Sequence, residues 1–167
     1  MEYILSIDPG NEKSAYCIIE KDTLKPVEIG LIENKILLGK ILHNDFDFSY
    51  NYAVVEMIAS YGMAVGKTVF DTCVWIGIFK HALESKFDFQ KECDLLYRKE
   101  EKLHICGVMR AKDTNIRVAL IDRFAKEDKK LGKGTKKQPD WFYGFKKDLW
   151  AAYAVGITYI ETRMGAE

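Results

Sequence analysis

Three short apolar runs occupy the first 32 residues, at 3–8, 14–20 and 26–32, separated by Asn11-Glu12-Lys13 and Lys21-Asp22-Thr23. Runs of this length with polar breaks predict a three-stranded antiparallel meander. The first run ends in Asp8-Pro9-Gly10. Strand side chains alternate between faces and a Pro-Gly pair ends the pairing, so Asp8 stands at the strand's carboxyl end. That edge is where open α/β sheets bind ligands. An aspartate that merely organises a turn has the same local signature, so the weight of Asp8 depends on the residues that accompany it.

Beyond the meander, residues 34–43 carry Ile36, Leu37, Leu38, Ile41 and Leu42 at helical spacing, and 52–57 is a compact run suited to a buried strand. Residues 66–86 hold Val69, Cys73, Ile76, Phe79, Ala82 and Leu83 at steps of three and four, which predicts a long helix. A short strand follows at 94–97, then a helix at 115–125 introduced by Asp113 and Thr114 as capping residues. A last helix at 147–162 places Ala151, Ala152, Ala154 and Gly156 where a helix backbone can approach a sheet closely. The order β-β-β-α-β-α-β-α-α predicts an α/β fold: a mixed sheet, three antiparallel strands then parallel ones, flanked by helices. With 167 residues, 48% of them hydrophobic, one domain over 1–167 can bury a real core.

Twenty-five basic and twenty-five acidic residues cancel, so a nucleic acid would have to be met by a local patch and not by overall charge. Cys17, Cys73, Cys93 and Cys106 are far apart, form no C-x-x-C pair and sit mostly in apolar runs, which fits buried thiols in a reducing compartment and argues against zinc. No uncharged run reaches the roughly 18 residues of a membrane span, and no leader pattern opens the chain. The expected location is the cytoplasm, with no membrane partner.

Three acids stand at element ends beside apolar neighbours: Asp8, Glu56 after Tyr52-Ala53-Val54-Val55, and Asp148 in the first turn of the last helix. Like carboxylates buried together push one another towards protonation, and a divalent cation removes that penalty. Mg²⁺ takes oxygen ligands and combines one or two carboxylates with phosphate oxygens. Taken singly, the three also read as a turn aspartate, a surface glutamate and a partner of the helix dipole. In order and spacing, Ile7-Asp8-Pro9-Gly10, Val54-Val55-Glu56-Met57 and the stretch Lys147-Asp148-Leu149-Trp150-Ala151-Ala152-Tyr153-Ala154-Val155-Gly156-Ile157-Thr158 resemble the acidic motifs of the RuvC family of Holliday junction resolvases, in particular its small bacteriophage members.

That resemblance spans nearly the whole chain. It implies a ribonuclease H-like fold, a homodimer in the cytoplasm (the host's, if the chain is phage-encoded), and paired nicking of four-way DNA that depends on two Mg²⁺ or Mn²⁺ ions per active site, with no other small-molecule cofactor. It makes Asp8, Glu56 and Asp148 the catalytic metal ligands. It also makes Lys102, which precedes Leu103-His104-Ile105-Cys106-Gly107, a catalytic lysine in contact with phosphate near the metals. Bacterial members have a further acid one helical turn after the first in the last motif, where this chain has Ala151. The fourth ligand is then water, Asp140 if its loop folds back, or nothing. Where cellular resolvases place an aromatic wedge this chain has Ala59, and Tyr61 two residues on takes that role or none.

Arg110 and Lys112 are further candidates for DNA contact. The segment 126–147 has eight lysines against Glu127, Asp128 and Asp140, and Gly132, Gly134, Trp141, Phe142 and Tyr143 interleave with them. Lysines such as Lys133, Lys136 and Lys137 can neutralise phosphates while aromatics stack on unpaired bases; a linker with no partner has the same composition. Gly62-Met63-Ala64-Val65-Gly66-Lys67-Thr68 is one residue short of a nucleotide-binding loop, but Lys67 at a helix start can touch phosphate. The long helix also carries Phe70, Val74, Trp75, Ile78 and Phe79, more apolar surface than one core face needs, which fits an isologous dimer, though a monomer's core could also absorb it. His43, His81 and His104 match no nucleophile arrangement. The expected function is metal-dependent resolution of Holliday junctions and related branched DNA. The alternatives are a branched-DNA-binding protein with impaired catalysis and another ribonuclease H-like nuclease acting on RNA-DNA hybrids.

Overall fold

The computed structural model describes residues 1–86, 93–125 and 131–165. Strands β1 (Tyr3–Asp8), β2 (Lys13–Glu20) and β3 (Pro26–Glu33) form the expected antiparallel meander. Helix α1 (Asn34–His43) leads to β4 (Tyr52–Met57), α2 (Lys67–Lys86) and β5 (Asp94–Tyr97). The strands assemble in the order β3-β2-β1-β4-β5, with β4 parallel to β1 and β5 parallel to β4. This is the mixed sheet the alternation predicts, and β1 is its central strand.

Strand parity divides the core in two. Ile4, Cys17, Ile19, Val54 and Leu96 pack on one face against α5 (Leu149–Tyr159), while Leu5, Ile7, Ile18, Ala53 and Val55 pack on the other with Leu37 and Ile41 of α1 and Ile76, Phe79 and Leu83 of α2. Every residue of α5 is buried; an all-apolar helix is stable only when covered on all sides. Its approach to the sheet depends on Gly156, where a Cβ would stand 2.3 Å from Ile19 Cδ1 and 2.8 Å from Ser6 Oγ. Because Asp8 follows Ile4 and Ser6 at steps of two, and Glu56 follows Val54, both acids project to the α5 face.

The chain after β5 differs from the expected pattern. An additional helix, α3 (Arg98–Cys106), follows β5 at once, and α4 begins at Asp113 (Asp113–Phe124) with Lys112 at its N-cap. Asp113 and Thr114 therefore lie inside α4, and the side chain that closes its first turn is Asn115, whose Oδ1 accepts the Lys112 N–H at 2.8 Å. The last helix is shorter than 147–162: α5 ends at Tyr159 and a π-helical turn, Ile160–Met164, continues it.

Residues 126–130 of the expected basic loop lie outside the described residues. From 131 to 147 the chain makes a short hairpin. Gly134 bridges Pro139, the Thr135 N–H donates to the Gln138 carbonyl at 2.9 Å, and Lys136 and Lys137 form the tip. Its aromatics are not free platforms for bases, contrary to the sequence reading. Phe142 is fully buried, Trp141 stacks on Phe124 with centroids 5.1 Å apart, and the Trp141 indole N–H donates to the Tyr153 hydroxyl at 3.0 Å. Tyr153 in turn donates to the Leu24 carbonyl at 2.8 Å, tying the hairpin to the β2–β3 turn. Among these three aromatics only Tyr143 stays exposed.

Candidate functional site

Ile7 pairs with Val55 across β1 and β4, so Asp8 and Glu56 emerge side by side at the carboxyl ends of adjacent parallel strands. The two carboxyls are close enough to act on one another. Burial pushes both carboxyls above their usual range, Asp8 well above it; the charge of Glu56 adds to the rise at Asp8, and Asp148 contributes further. Asp148 reaches this place from the residue just before α5, and it remains exposed. Of the three acids singled out from the sequence, Asp8 thus feels the charge of the other two.

The turn that carries Asp8 into β2 is held by buried polar groups. Ser14 Oγ donates to Asn34 Oδ1 at 2.6 Å and accepts from the Gly10 N–H at 3.2 Å, while Asn34 Nδ2 donates to the Gly10 carbonyl at 2.8 Å. Gly10 is required here, since a Cβ would lie 2.2 Å from the Lys13 carbonyl oxygen. These bonds fix Pro9 and Gly10, and hence the backbone that follows Asp8.

Two residues of α3 that sequence reasoning passed over complete the cluster. Arg98 Nη1 donates to Glu56 Oε2 at 3.3 Å and to Glu101 Oε2 at 3.2 Å, and its Nη2 donates to Asp113 Oδ1 at 2.7 Å. Burial works against the guanidinium's charge, but Glu56, Glu101 and Asp113 outweigh it and hold Arg98 protonated. The Glu101 side chain has no exposed surface, and its Oε1 has no hydrogen-bond partner. Burial and then Glu56 raise its carboxyl well above the ordinary range, against the pull of Arg98. Glu101 and Arg98 stand at i and i+3 on a helix that follows a strand directly, which is a signal a sequence can show.

Among the described residues, no three Asp, Glu, His or Cys side chains converge closely enough to hold an ion as they stand. The donor chemistry nonetheless fits a hard divalent cation. Asp8, Glu56 and Glu101 are carboxyls raised first by burial, Asp8 and Glu101 further by neighbouring acids, and one buried oxygen is unsatisfied. Arg98 is the positive charge now set among them. Asp140 is not part of the group: its Oδ1 accepts the Trp141 N–H at 2.6 Å, and it is not among the charges acting most on Asp8, Glu56 or Glu101. Ala151, 9% exposed, adds no donor.

The basic candidates are spread around this end. Lys102 is half-buried on α3, one residue past Glu101, and its charge is felt at the Cys106 thiol. Tyr61 and Gly62 both take positive φ in the exposed loop after β4, and the Lys99 ammonium lies 5.9 Å from the Tyr61 ring centroid. Lys67 opens α2 and pairs with Asp71. Arg110 and Lys112 are exposed between α3 and α4. Lys133 is half-buried at the base of the hairpin, whereas Lys136 and Lys137 are exposed at its tip. His104 is committed elsewhere, 2.6 Å from Glu161.

No family model matches the chain, and no curated protein matches it. Solved structures do. A Thermus thermophilus RuvC structure aligns over 98% of this chain and 96% of its own with a TM-score of 0.66 at 16% identity. T. thermophilus RuvC in complex with a Holliday junction substrate aligns over 99% of this chain and 97% of its own with a TM-score of 0.69 at 13% identity. At such identities the likeness is one of fold, and the mixed sheet flanked by helices is a RuvC-like, ribonuclease H-like fold.

Proposed function

We propose that this protein is a metal-dependent endonuclease that resolves Holliday junctions and related branched DNA by paired phosphodiester nicking. The observation that carries the reading is the placing of the buried Asp8 and Glu56 carboxyls at the ends of adjacent parallel strands, with the charge of Asp148 felt at Asp8. A RuvC-like fold supports it, and one such structure is a complex with a Holliday junction.

Asp8, Glu56 and Asp148 are the side chains that would hold Mg²⁺ or Mn²⁺, two ions per site. When bound, such ions supply a nucleophile at neutral pH and stabilise charge on the leaving oxygen. The chain itself supplies position. The Ser14–Asn34–Gly10 bonds keep the backbone after Asp8 fixed, and phosphate contacts from Lys102, Lys67, Arg110, Lys112 and the Lys133, Lys136 and Lys137 hairpin set the register of the duplex arms. Tyr61, exposed on the loop that follows β4, would meet bases at the branch point.

Paired nicking calls for two sites. The core takes up Phe79 and half-buries Trp75, but Phe70 and Val74 on α2 are 61% and 62% exposed and Leu42 on α1 is exposed too, so part of the apolar surplus of the long helix stays outside. A two-fold contact through this face would make the homodimer. A second reading, branched-DNA binding with impaired catalysis, is favoured by Ala151 alone.

The test is incubation of the purified protein with a labelled four-way junction, a fork and an RNA-DNA hybrid, in Mg²⁺ or EDTA, beside Asp8→Asn. Symmetric metal-dependent nicks in the junction, absent in Asp8→Asn, are expected. Binding without scission of any substrate overturns the enzyme reading, and cutting of the hybrid alone overturns the resolvase reading.

A further inference from the structure

The helix that sequence reasoning missed carries the strongest unexplained observation in the molecule. Glu101 is a carboxylate with no solvent exposure, one oxygen without a partner, and one oxygen shared through a single guanidinium nitrogen with Glu56. A lone buried carboxylate of this kind is costly, and side chains that serve only packing are rarely acids. Its one partner, Arg98, satisfies Oε2 only, at 3.2 Å, and divides the same Nη1 with Glu56 at 3.3 Å. The long, divided contacts are those of a cation spread between carboxylates, not of a bidentate pair that would satisfy Glu101 fully. The charges of Glu56 and Asp8 both act on Glu101, and Arg98 bridges it to Glu56, so it belongs to the same cluster. Meanwhile the last helix presents only the Ala151 methyl one turn after Asp148.

We propose that Glu101 is the fourth carboxylate of the metal centre, replacing from α3 the acid that α5 lacks at Ala151, and that Arg98 is the resident counter-cation whose place beside Glu56 and Glu101 a divalent ion takes. The proposal rests on the reading of Asp8, Glu56 and Asp148 as metal ligands. It transfers one ligand from the last helix to the helix after β5. The unpartnered Oε1 is the oxygen left for the ion, and the guanidinium marks where positive charge is needed.

Mn²⁺ binding to the DNA-free protein, followed by calorimetric titration and by the paramagnetic resonance of free Mn²⁺, tests this without recourse to activity. Glu101→Gln is expected to weaken Mn²⁺ binding on the order of tenfold, in line with the loss of one charged ligand. Ala151→Asp introduced into Glu101→Gln is expected to recover most of that loss, and Glu12→Gln, an exposed acid at the far side of the β1–β2 turn, to leave binding unchanged. Circular dichroism in EDTA establishes that each variant is folded. Should Glu101→Gln fail to fold, Glu101→Asp keeps the charge while withdrawing the oxygens by one methylene, and it too is expected to weaken binding. Wild-type affinity in the folded Glu101 variant overturns the proposal. If Asp8→Asn also binds Mn²⁺ as the wild type does, the metal-centre reading fails with it; if Asp8→Asn is weakened and Glu101→Gln is not, only the role of Glu101 falls.

Discussion

Asn34 lies at the first residue of α1, far from Asp8 in sequence, yet the structure makes it the support of the turn that follows Asp8. Replacing it with alanine removes a buried hydrogen bond, Ser14 Oγ to Asn34 Oδ1 at 2.6 Å, and a partly buried one, Asn34 Nδ2 to the Gly10 carbonyl at 2.8 Å. Ser14 and Asn34 are both 1% exposed, so water does not readily take over. A buried polar group left unsatisfied costs about 1–3 kcal/mol. Two of them, the Ser14 hydroxyl and the Gly10 carbonyl, put the loss at about 3 kcal/mol when part of the turn relaxes. With unfolding entropy near 2.1 cal/mol/K per residue, a chain of 167 residues loses about 8 °C in Tm. The catalytic effect comes from the freed Pro9-Gly10 backbone: a displacement of about 1 Å in a catalytic carboxylate lowers rate by as much as about a hundredfold. Junction affinity, which the proposed function assigns to lysines elsewhere, is expected to stay as it was. Scanning fluorimetry and single-turnover cleavage of a labelled junction, with the exposed Lys35→Ala as the control, measure both. A Tm within 2 °C of wild type (about 0.7 kcal/mol by the same entropy), or an unchanged cleavage rate in a variant that has lost stability, refutes the view that these bonds position Asp8.

Two other outcomes follow from the same geometry. Asp8 and Glu101 are held well above the ordinary carboxylate range and Glu56 above it, so folding favours their protonated forms. That stability is full below the unfolded value near pH 4 and is lost as pH rises through the raised folded values, by up to about 1.4 kcal/mol per pH unit for each group titrating. In EDTA the Tm should fall between pH 5 and pH 8, Mg²⁺ should restore more at pH 8 than at pH 5, and Asp8→Asn should flatten the slope; equal slopes in the two proteins contradict the assignment. At the hairpin tip, Lys136→Ala with Lys137→Ala should reduce the salt dependence of junction binding by about 1.8 in the slope of log K against log salt, about 0.9 for each phosphate contact. The circular dichroism spectrum should not change, because both side chains are exposed; an unaltered slope means the tip does not meet DNA.

The strands and α1 were legible almost to the residue because their core partners repeat at steps of two, or of three and four, within one short window. Asp8 and Glu56 were legible for the same reason, since a charge that ends an apolar run is visible without knowing what lies opposite it. The hairpin aromatics were not. Whether Trp141 and Phe142 face bases or the core depends on Phe124 and Tyr153, which approach them only in the folded chain. Helix α3 was hidden because Arg98-Lys99-Glu100-Glu101-Lys102 shows no apolar period, and its buried face is led by an acid. Its start did carry a local signal, for Glu100 Oε2 accepts the Tyr97 N–H at 2.8 Å in the manner of a capping box.

A charged run is ordinarily read as a solvated face, and that habit conceals the one circumstance in which charge is buried for use. Along Lys99-Glu100-Glu101-Lys102 the neighbours behave as the habit expects: Lys99 is exposed beside Tyr61, and Glu100 is engaged at the surface by Arg163. Glu101 alone turns inward, onto the face of the sheet to which Asp8 and Glu56 project. No apolar residue gains by being there, because the strand ends opposite it are already acidic and would be left further from solvent. An ionised acid at that position needs positive charge beside it, and among the described residues one guanidinium serves Glu56 and Glu101 together. The deficit of positive charge is therefore a property of the folded sheet end itself, and it is largest where Asp8, the residue of the central strand, meets both of its neighbours.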